Sequence, residues 1–299
     1  MTATFVLSFD FEDWHQIVRR RLGHEGWRDG DPAFARHVEL TLDLLEELNV
    51  TATFFVAGVT AERHPDALRE VAARGHELGC HGHDHRHLYR LTPDEFRDDV
   101  RRCLDVIAAT CGAEPLGYRA PWFSINRETP WAHGILRELG FRYDSSVYDS
   151  PRLRHRIRPV PAHPYRVDPG LWEFPIAVAR YGRLALPLGG GTYWRALPGA
   201  ALRRGLDRVA RQSTFPVLYF HPYELAPETL EVVLPAGAGR LARLQETRRR
   251  VHKNVRRHLI AERIREAAAA FRFVPFRDVL PPTDDDRDPT LLRPARAGV

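Results

Sequence analysis

The stretch Thr4-Phe-Val-Leu-Ser-Phe-Asp10 is rich in β-branched and aromatic residues and ends in a carboxylate. Such a run predicts a buried strand whose acid lies where the strand ends and a ligand site begins. Residues 51–56 form a second run of this kind, and residues 75–80 form a third that follows a glycine turn. Helical patterns separate these runs, and strands that alternate with helices predict a parallel sheet.

The segments between the predicted strands carry helix signals. Residues 32–48 place apolar side chains on one helical face. Thr92-Pro-Asp-Glu95 has the form of a capping box with proline at the first helical position, which predicts a helix that ends near residue 110. A further helix is predicted over residues 131–139, followed by a strand at residues 141–143.

Imidazoles and carboxylates in two places suggest a metal site. The loop after residue 80 reads His81-Gly-His-Asp-His85, and the first strand ends among the acids Asp10, Glu12 and Asp13. Neutral imidazoles four residues apart, joined by a carboxylate from a distant strand, can leave a coordination position open for water. This donor set predicts a hydrolase that uses one divalent metal. A histidine-rich loop alone is equally compatible with a solvated surface loop. The other motifs of the sequence are therefore needed to distinguish a metal site from such a loop.

Three further polar clusters occur where apolar, strand-like runs end. They are Gly117-Tyr-Arg-Ala-Pro-Trp-Phe123, Phe141-Arg-Tyr-Asp-Ser-Ser146 and Leu218-Tyr-Phe-His-Pro-Tyr-Glu224. Parallel strands in a barrel present their carboxyl ends at the same face. The five polar clusters together therefore predict one barrel mouth.

These motifs, in this order, resemble the polysaccharide deacetylases, the NodB-homology family also called carbohydrate esterase family 4. Within that family, Phe9-Asp-Phe-Glu-Asp-Trp14 and Gly189-Gly-Gly-Thr-Tyr-Trp194 are most similar to the exosortase-associated branch with its C-terminal extension. The resemblance covers residues 1–280 and implies an α/β fold, a distorted (β/α) barrel of about seven units in a single domain. It also implies metal-dependent removal of N-acetyl groups from sugars of a bacterial polysaccharide or its lipid-linked precursor.

The resemblance also implies the metal ligands. His81 and His85 match the two histidine ligands, although Gly82 stands where the common pattern has a hydroxyl residue. The commoner motif has two adjacent aspartates, base then ligand, but here a phenylalanine follows the base, so the carboxylate ligand is Glu12 or Asp13. Strand alternation favours Glu12, which shares a face with the base. The family's usual aspartate ligand favours Asp13 if the chain bends.

The catalytic roles follow from the same resemblance. Asp10 matches the base that takes a proton from the attacking water, and Arg119 matches the arginine that pairs with that base. His221 matches the acid that protonates the leaving amine, and the backbone amide of Trp122 falls where the oxyanion donor lies. Two acids are candidates for tuning the proton-donating histidine: Asp144 and Glu173.

Two other interpretations stay open. The same site could remove a different acyl group, such as formyl, or cleave a small amide. The chain could also be a catalytically inactive carbohydrate-binding relative, but its complete set of base, ligands and acid argues against a binding module. The expected substrate is an N-acetylated glycan. The expected cofactor is one divalent metal, with zinc first and cobalt, nickel and manganese suited to the same donors.

Composition agrees with an ordinary globular protein. The 299 residues are 43% hydrophobic, enough for one large core, and α/β barrels commonly have this length. Three cysteines without close paired spacing favour reduced thiols and a cytoplasmic location. The first residues lack a standard export signal. The sequence has no apolar run of about 18 residues, so no membrane span is predicted. The formal charge is +5, but the sequence has no recognised nucleic-acid-binding motif, so a nucleic-acid partner is not expected. The sequence does not indicate the oligomeric state.

Residues 147–200 interrupt the alternating pattern. They are rich in proline and glycine and predict a long irregular insertion before the last barrel elements. Four aromatic residues in this segment favour a sugar-facing lid over aromatic packing alone: Trp172, Tyr181, Tyr193 and Trp194.

Residues 240–266 predict an amphipathic helix with a solvated basic face. Its apolar stripe consists of Leu244, Val251, Val255, Leu259 and Ile264. The basic face is compatible with peripheral contact with a membrane or a lipid-linked glycan. Beyond it, residues 281–299 predict a disordered tail.

Overall fold

A curled sheet of nine strands, most of them parallel, organises the chain in this computed structural model. The structure describes residues 2–23, 25–151, 153, 157, 159–231, 234, 237 and 239–281. The strands, in chain order, are β1 (Thr4–Phe11), β2 (Thr53–Val56), β3 (Glu77–Cys80), β4 (Gly117–Tyr118), β5 (Tyr143–Asp144), β6 (Tyr165–Asp168), β7 (Leu171–Glu173), β8 (Val178–Tyr181), β9 (Leu184–Pro187), β10 (Val217–Phe220) and β11 (Arg272–Val274). Of these, β8 and β9 form a separate antiparallel pair.

Seven strands run parallel around a distorted barrel. Their order is β10, β1, β2, β3, β4, β5 and β7, and each pairs in parallel with the next. An isolated parallel bridge between Ile176 and Val217 brings the chain after β7 against β10 and closes the circle. This arrangement confirms the predicted distorted (β/α) barrel.

Helices connect and cover these strands. They are α1 (Trp14–Arg21), α2 (Phe34–Glu47), α3 (Gly58–Arg63), α4 (Pro65–Ala73), α5 (Pro93–Cys111), α6 (Ala132–Glu138), α7 (Gly191–Ala196), α8 (Gly199–Gln212), α9 (Arg240–Asn254) and α10 (Leu259–Ala268). The predicted capping box begins α5, because the Thr92 hydroxyl accepts from the Glu95 backbone N–H at 3.2 Å and the Glu95 carboxylate accepts from the Thr92 N–H at 2.8 Å.

Alternation along β1 separates the inside of the barrel from its outside. Phe5, Phe9 and Phe11 are fully buried in the core that the sheet forms with the surrounding helices. Each fully buried side chain of this size contributes roughly 1.5–3 kcal/mol. The alternate positions face the barrel interior, where Val6 joins an aromatic cluster and Asp10 lies at the mouth. One short strand therefore supplies both core packing and a carboxylate.

Residues 147–200 contain regular structure, which corrects the predicted irregular insertion. β7 enters the main sheet parallel to β5, and β6 pairs with β7 antiparallel. Strands of three or four residues are too short to show a periodic pattern in the sequence. Trp172 and Trp194 are buried, Tyr181 is exposed, and Tyr193 lines the cavity at the barrel mouth. These four aromatic residues therefore do not form a common lid.

Residues 240–266 fold as two helices, which corrects the single amphipathic helix predicted from the sequence. Residues 255–258 separate α9 from α10. Ile264 is buried, but Leu244 and Val251 are 57% and 54% exposed. The apolar stripe therefore does not pack as one surface.

The predicted disordered tail, residues 281–299, lies outside the described residues except for Pro281. Among the residues that the structure does describe, no helix is both long enough and apolar enough to cross a membrane.

Candidate active site

The carboxyl ends of the parallel strands surround a cavity of approximately 380 Å³. Asp10 lies near the end of β1, and Glu12 follows that strand directly. His81 follows β3, Arg119 follows β4 and His221 follows β10. Because parallel strands end at one face, residues that are up to 211 positions apart in sequence, as Asp10 and His221 are, become neighbours.

Two imidazoles and one carboxylate form a candidate metal site at this mouth. Nε2 of His85 lies 2.6 Å from Oε2 of Glu12, and Nε2 of His81 lies 3.6 Å from the same oxygen. The three side chains offer one ligand atom each, all within 4.8 Å of one another. All three residues are buried. Two histidines and one carboxylate suit a divalent metal that keeps coordination positions for water or substrate.

Protonation of the candidate ligands agrees with metal binding. Nδ1 of His81 lies 2.7 Å from the backbone carbonyl oxygen of Arg119, and donation to that oxygen leaves Nε2 free to face Glu12. Burial lowers the pKa of His85 despite the opposing charge of Glu12, which favours the neutral ring. Burial would raise the pKa of Glu12, but the charges of His85 and His221 outweigh it and lower that pKa well below its ordinary value.

Asp13, the alternative carboxylate, lies away from the two histidines. It is the N-cap of α1, and its Oδ1 accepts from the His15 backbone N–H at 2.7 Å. Its Oδ2 accepts from the Asp31 backbone N–H at 2.5 Å. Because the chain turns into α1 directly after Glu12, strand alternation brings Glu12 to the cavity and assigns Asp13 to helix capping.

Asp10 is held by a buried arginine. Nη1 of Arg119 donates to Oδ1 of Asp10 at 2.7 Å, and the Arg119 side chain has no exposed surface. The remaining guanidinium nitrogens donate to Ser145, to its carbonyl oxygen from Nε and to its hydroxyl from Nη2, both at 3.2 Å. The guanidinium carbon lies 4.1 Å from the centre of the Phe55 ring. This environment holds Oδ1 of Asp10 in place and leaves Oδ2 facing the site, 3.8 Å from Nε2 of His221.

His221 lies beside Asp10 and Glu12 and is held by Glu224. Nδ1 of His221 is 3.0 Å from Oε2 of Glu224, and Nε2 is 3.1 Å from Oε1 of Glu12. The ring stacks on Tyr223 with centroids 4.8 Å apart. Burial would lower the pKa of His221, but the charges of Glu12 and Glu224 and hydrogen bonds to both raise it to about 9. The ring is therefore a proton donor at neutral pH.

Neither acid proposed from the sequence contacts His221. Asp144 is buried beside His133, with 3.2 Å between Oδ2 and Nε2, and Glu173 accepts from the Val147 backbone N–H at 2.9 Å. The acid that holds His221 is Glu224, which sequence reasoning missed. Its signal was present in the Leu218–Glu224 motif as a His-x-x-Glu spacing across the turn Pro222–Glu224.

Aromatic and basic side chains form the rest of the cavity wall. Trp122 has a left-handed backbone (φ 60°), and its ring centroid lies 5.4 Å from that of His85. The oxyanion role of its backbone N–H stays a prediction. The other aromatic lining residues include Trp14, Tyr148, Tyr193, Tyr219 and Tyr223, and the basic ones include Arg21, Arg249, His252 and Lys253. An aromatic wall around a polar centre suits a sugar ring, whose faces are apolar and whose edges are polar.

Family models match most of the chain in two parts. Residues 27–143 match the model described as polysaccharide deacetylase, and residues 145–281 match a domain of unknown function, DUF3473. The candidate site draws on both parts and on the segment before them. Glu12 precedes the first match, His81 and His85 lie within it, and His221 lies within the second.

Several known proteins are similar to this chain. A peptidoglycan deacetylase of Helicobacter pylori is 29% identical over 117 residues, which are 39% of each chain. A peptidoglycan-N-acetylglucosamine deacetylase of Bacillus cereus is 33% identical over 92 residues, 30% of this chain and 34% of the relative. These matches span only 34–39% of the relatives' length.

A crystal structure from Mycobacterium smegmatis, assigned provisionally as a polysaccharide deacetylase, covers 98% of this chain and 95% of its own, with a TM-score of 0.61 and 25% identity. The named relatives are deacetylases, in agreement with a hydrolase of that class. The family model and these relatives show that residues 27–143 are similar to polysaccharide deacetylases, and the Mycobacterium smegmatis structure shares the fold over most of the chain.

Proposed function

We propose that the protein is a metal-dependent hydrolase that removes N-acetyl groups from sugars of a bacterial polysaccharide or its lipid-linked precursor. One observation carries the proposal. The Asp10–Arg119 pair and the His221–Glu224 pair both border the group Glu12, His81 and His85 in one cavity.

Asp10 is proposed as the general base. A bound divalent metal would supply a Lewis acid, which can lower the pKa of water from about 15.7 to about 7. Oδ2 of Asp10 faces the site and accepts the proton of the attacking water, while Arg119 holds Oδ1 and orients the carboxylate. No covalent enzyme intermediate is required.

His221 is proposed as the general acid. An amide has a poor amine leaving group, so its nitrogen must receive a proton before the C–N bond breaks. Nε2 of His221 faces the site, and Glu224 orients the ring through Nδ1 and stabilises its positive charge. The backbone N–H of Trp122 is proposed to donate to the oxyanion of the tetrahedral intermediate.

Finer assignments are also proposals. We propose zinc as the metal, with cobalt, nickel and manganese suited to the same donors. The motifs at residues 9–14 and 189–194 support the exosortase-associated branch. A cytoplasmic location is proposed because the three cysteines are free thiols, two of them buried. Peripheral contact with a membrane or a lipid-linked glycan is proposed from the basic character of α9.

Acetate release tests the proposed function. The protein would be incubated with acetylated chitooligosaccharides and a panel of acetylated bacterial glycans, before and after chelation, with the metals added back singly. Acetate release that is lost on chelation and restored by metal would support the proposal. Stoichiometric bound metal without acetate release would indicate a different acyl group or a lipid-linked substrate, and absence of both would favour a binding protein.

A further inference from the structure

Three cationic side chains line the active-site cavity where α1 and α9 border it. Arg21 is the last residue of α1, and Arg249 and Lys253 lie four residues apart on α9. Side chains at this spacing share one face of a helix, so both α9 cations are on the side that meets the cavity. Positive charge from two helices therefore borders the opening above the candidate metal site.

Lys253 makes no ion pair with any residue that the structure describes. Its Nζ donates to the Tyr223 hydroxyl at 3.4 Å and lies 5.3 Å from the centre of the Trp14 ring. Burial lowers the pKa of Lys253, although the charges of Glu224 and Glu12 oppose that shift from beyond contact distance. The ammonium is therefore partly desolvated without an anion in contact, which disfavours its charged form.

The neighbouring cations add to this cost. Burial lowers the pKa of Arg249, and the charge of Arg21 lowers it further. The charges of Arg195 and Arg249 in turn lower the pKa of Lys253. Among the described residues, the acid that forms an ion pair with one of the three lining cations is Glu246, whose Oε2 lies 3.3 Å from Nη1 of Arg249. Three mutually repelling cations thus share one contacting carboxylate.

The acids of the active site are engaged elsewhere. Asp10 pairs with Arg119, and Glu224 holds His221. Glu12 faces the two histidines of the candidate metal site. These carboxylates attract the lining cations at a distance but do not contact them. The arrangement is therefore complementary to an anion that enters the cavity with a ligand.

The cations lie close to the groups proposed for catalysis. Nζ of Lys253 is 5.5 Å from the centre of the Tyr223 ring, which stacks on His221 with centroids 4.8 Å apart. The guanidinium carbon of Arg21 is 5.8 Å from the centre of the Trp122 ring, which itself borders the candidate metal site. One aromatic ring thus separates each cation from the reacting centre, so a bound anion would lie on or next to the sugar that reacts.

We propose that Arg21, Arg249 and Lys253 bind an anionic group, a phosphate or a carboxylate, that the glycan substrate carries beside its N-acetyl sugar. Arginine and lysine recognise both groups through charge-assisted hydrogen bonds. All three cations lie outside residues 27–143, the part that matches the polysaccharide deacetylase model. Assignment of the anion to the substrate rests on the proposed function, whereas the anion site itself requires no catalysis.

Calorimetric binding to the full-length protein tests the site. The probes are N,N′-diacetylchitobiose, its anomeric phosphate, and a matched disaccharide with a uronic acid in place of one sugar. The wild type is expected to bind a charged probe at least ~10-fold more tightly than the neutral one, and high salt should reduce this preference. The charged probe that binds more tightly identifies the anion as phosphate or carboxylate.

Lys253→Gln and Arg21→Gln should each lose most of the preference for the charged probe. Arg248→Gln, which removes the same charge from an exposed position of α9 outside the cavity, is the matched control and should keep it. Glu12→Ala should also keep it, because the cations and not the metal bind the anion. Thermal melting shows whether each variant is folded, and Arg21→Gln alters an exposed residue, so it decides the test if Lys253→Gln is unstable.

The proposal is overturned if the wild type binds the three probes equally, or if Arg248→Gln loses as much preference as Arg21→Gln. It is also overturned if Glu12→Ala abolishes the preference, since the metal would then hold the anion. Acetate release is measured separately on the neutral and charged probes. Preferred binding of a charged probe without acetate release would count against the proposed function alone and would support the anion site.

Discussion

The two halves of the active site are held together in different ways. In the N-terminal half, which comprises Asp10, Glu12, His81 and His85, two side chains are fixed by Arg119, which follows β4. Its guanidinium donates to Asp10, and its carbonyl oxygen lies 2.7 Å from Nδ1 of His81. In the C-terminal half, His221 is held by Glu224, only three residues away in one turn. The positions of Asp10 and His81 therefore depend on the assembled barrel, whereas the orientation of His221 is set within one turn, and Nε2 of His221 meets the metal group at Oε1 of Glu12, 3.1 Å away.

The largest effect on the N-terminal half is expected from removing Glu12, the carboxylate of the candidate metal site. Glu12→Ala should lose bound metal and lower deacetylation by about 10³-fold or more, since a Lewis-acid metal is worth several kcal/mol. The neighbouring change Asp13→Ala is the matched control. It should keep the metal and cost roughly 1–3 kcal/mol of stability, because the helix cap and the hydrogen bond from the Asp31 backbone N–H are lost.

Metal content by elemental analysis, acetate release and thermal melting would distinguish the two variants. Metal loss in Asp13→Ala together with full occupancy in Glu12→Ala would reverse the assignment. His85→Ala should behave like Glu12→Ala, and normal occupancy in that variant would contradict the two-histidine site.

Asp10→Asn tests whether Asp10 acts as the base without being a metal ligand. The rate should fall about 10²–10⁴-fold, because the amide cannot accept the proton. Metal content should not change. Stability should also fall, since the buried Arg119 loses its charged partner. Loss of metal would make Asp10 a ligand and remove its role as base.

His221→Ala tests the independence of the C-terminal half. Metal should remain bound, and hydrolysis of an N-acetyl sugar should slow about 10²–10³-fold, because the amine leaves without a proton. An activated aryl acetate, whose leaving group needs no proton, should be affected much less. Equal losses on both substrates would contradict a leaving-group acid.

Glu224→Gln should give the smallest effect, about 10–100-fold in rate, because orientation of His221 is weakened but the ring survives. Its matched control is Glu173→Gln. Burial and the nearby charge of Asp144 raise the pKa of Glu173 well above its ordinary value, and Glu173 accepts from the Val147 backbone N–H and not from His221, so the change should leave the rate unaltered. A larger loss of rate from Glu173→Gln than from Glu224→Gln would assign the tuning of His221 to Asp144 and Glu173 instead.

Much of the fold was predictable because its early elements are long or bear local signals. β1 is eight residues long and rich in aromatic and aliphatic side chains, and α5 begins with a capping box whose two hydrogen bonds are both present. β7 was not predictable, because three residues are too few to show an alternating hydrophobic pattern and its place in the sheet depends on distant partners. The sequence of α9 indicated an amphipathic helix, but periodicity cannot say whether the apolar side has a partner.

The candidate site shows the same limit. The two histidines, Asp10 and Arg119 were assigned by motif order, and the structure brings them together. The choice between Glu12 and Asp13 depended on where the chain turns out of β1, which is a three-dimensional property. Glu224 was not predicted, because the contact of its carboxylate with the His221 ring depends on the turn Pro222–Glu224.

The alternation of β1 also bears on folding. Phe9 and Phe11 face the outer core, while Asp10 and Glu12 face the mouth. A slip of β1 by one residue against its neighbours would exchange these faces and bury two carboxylates among apolar helices, at several kcal/mol for each unpaired charge. The acids proposed for catalysis would thus penalise a misregistered first strand, and a chain that folds at all would have its base and its metal ligand on the correct side.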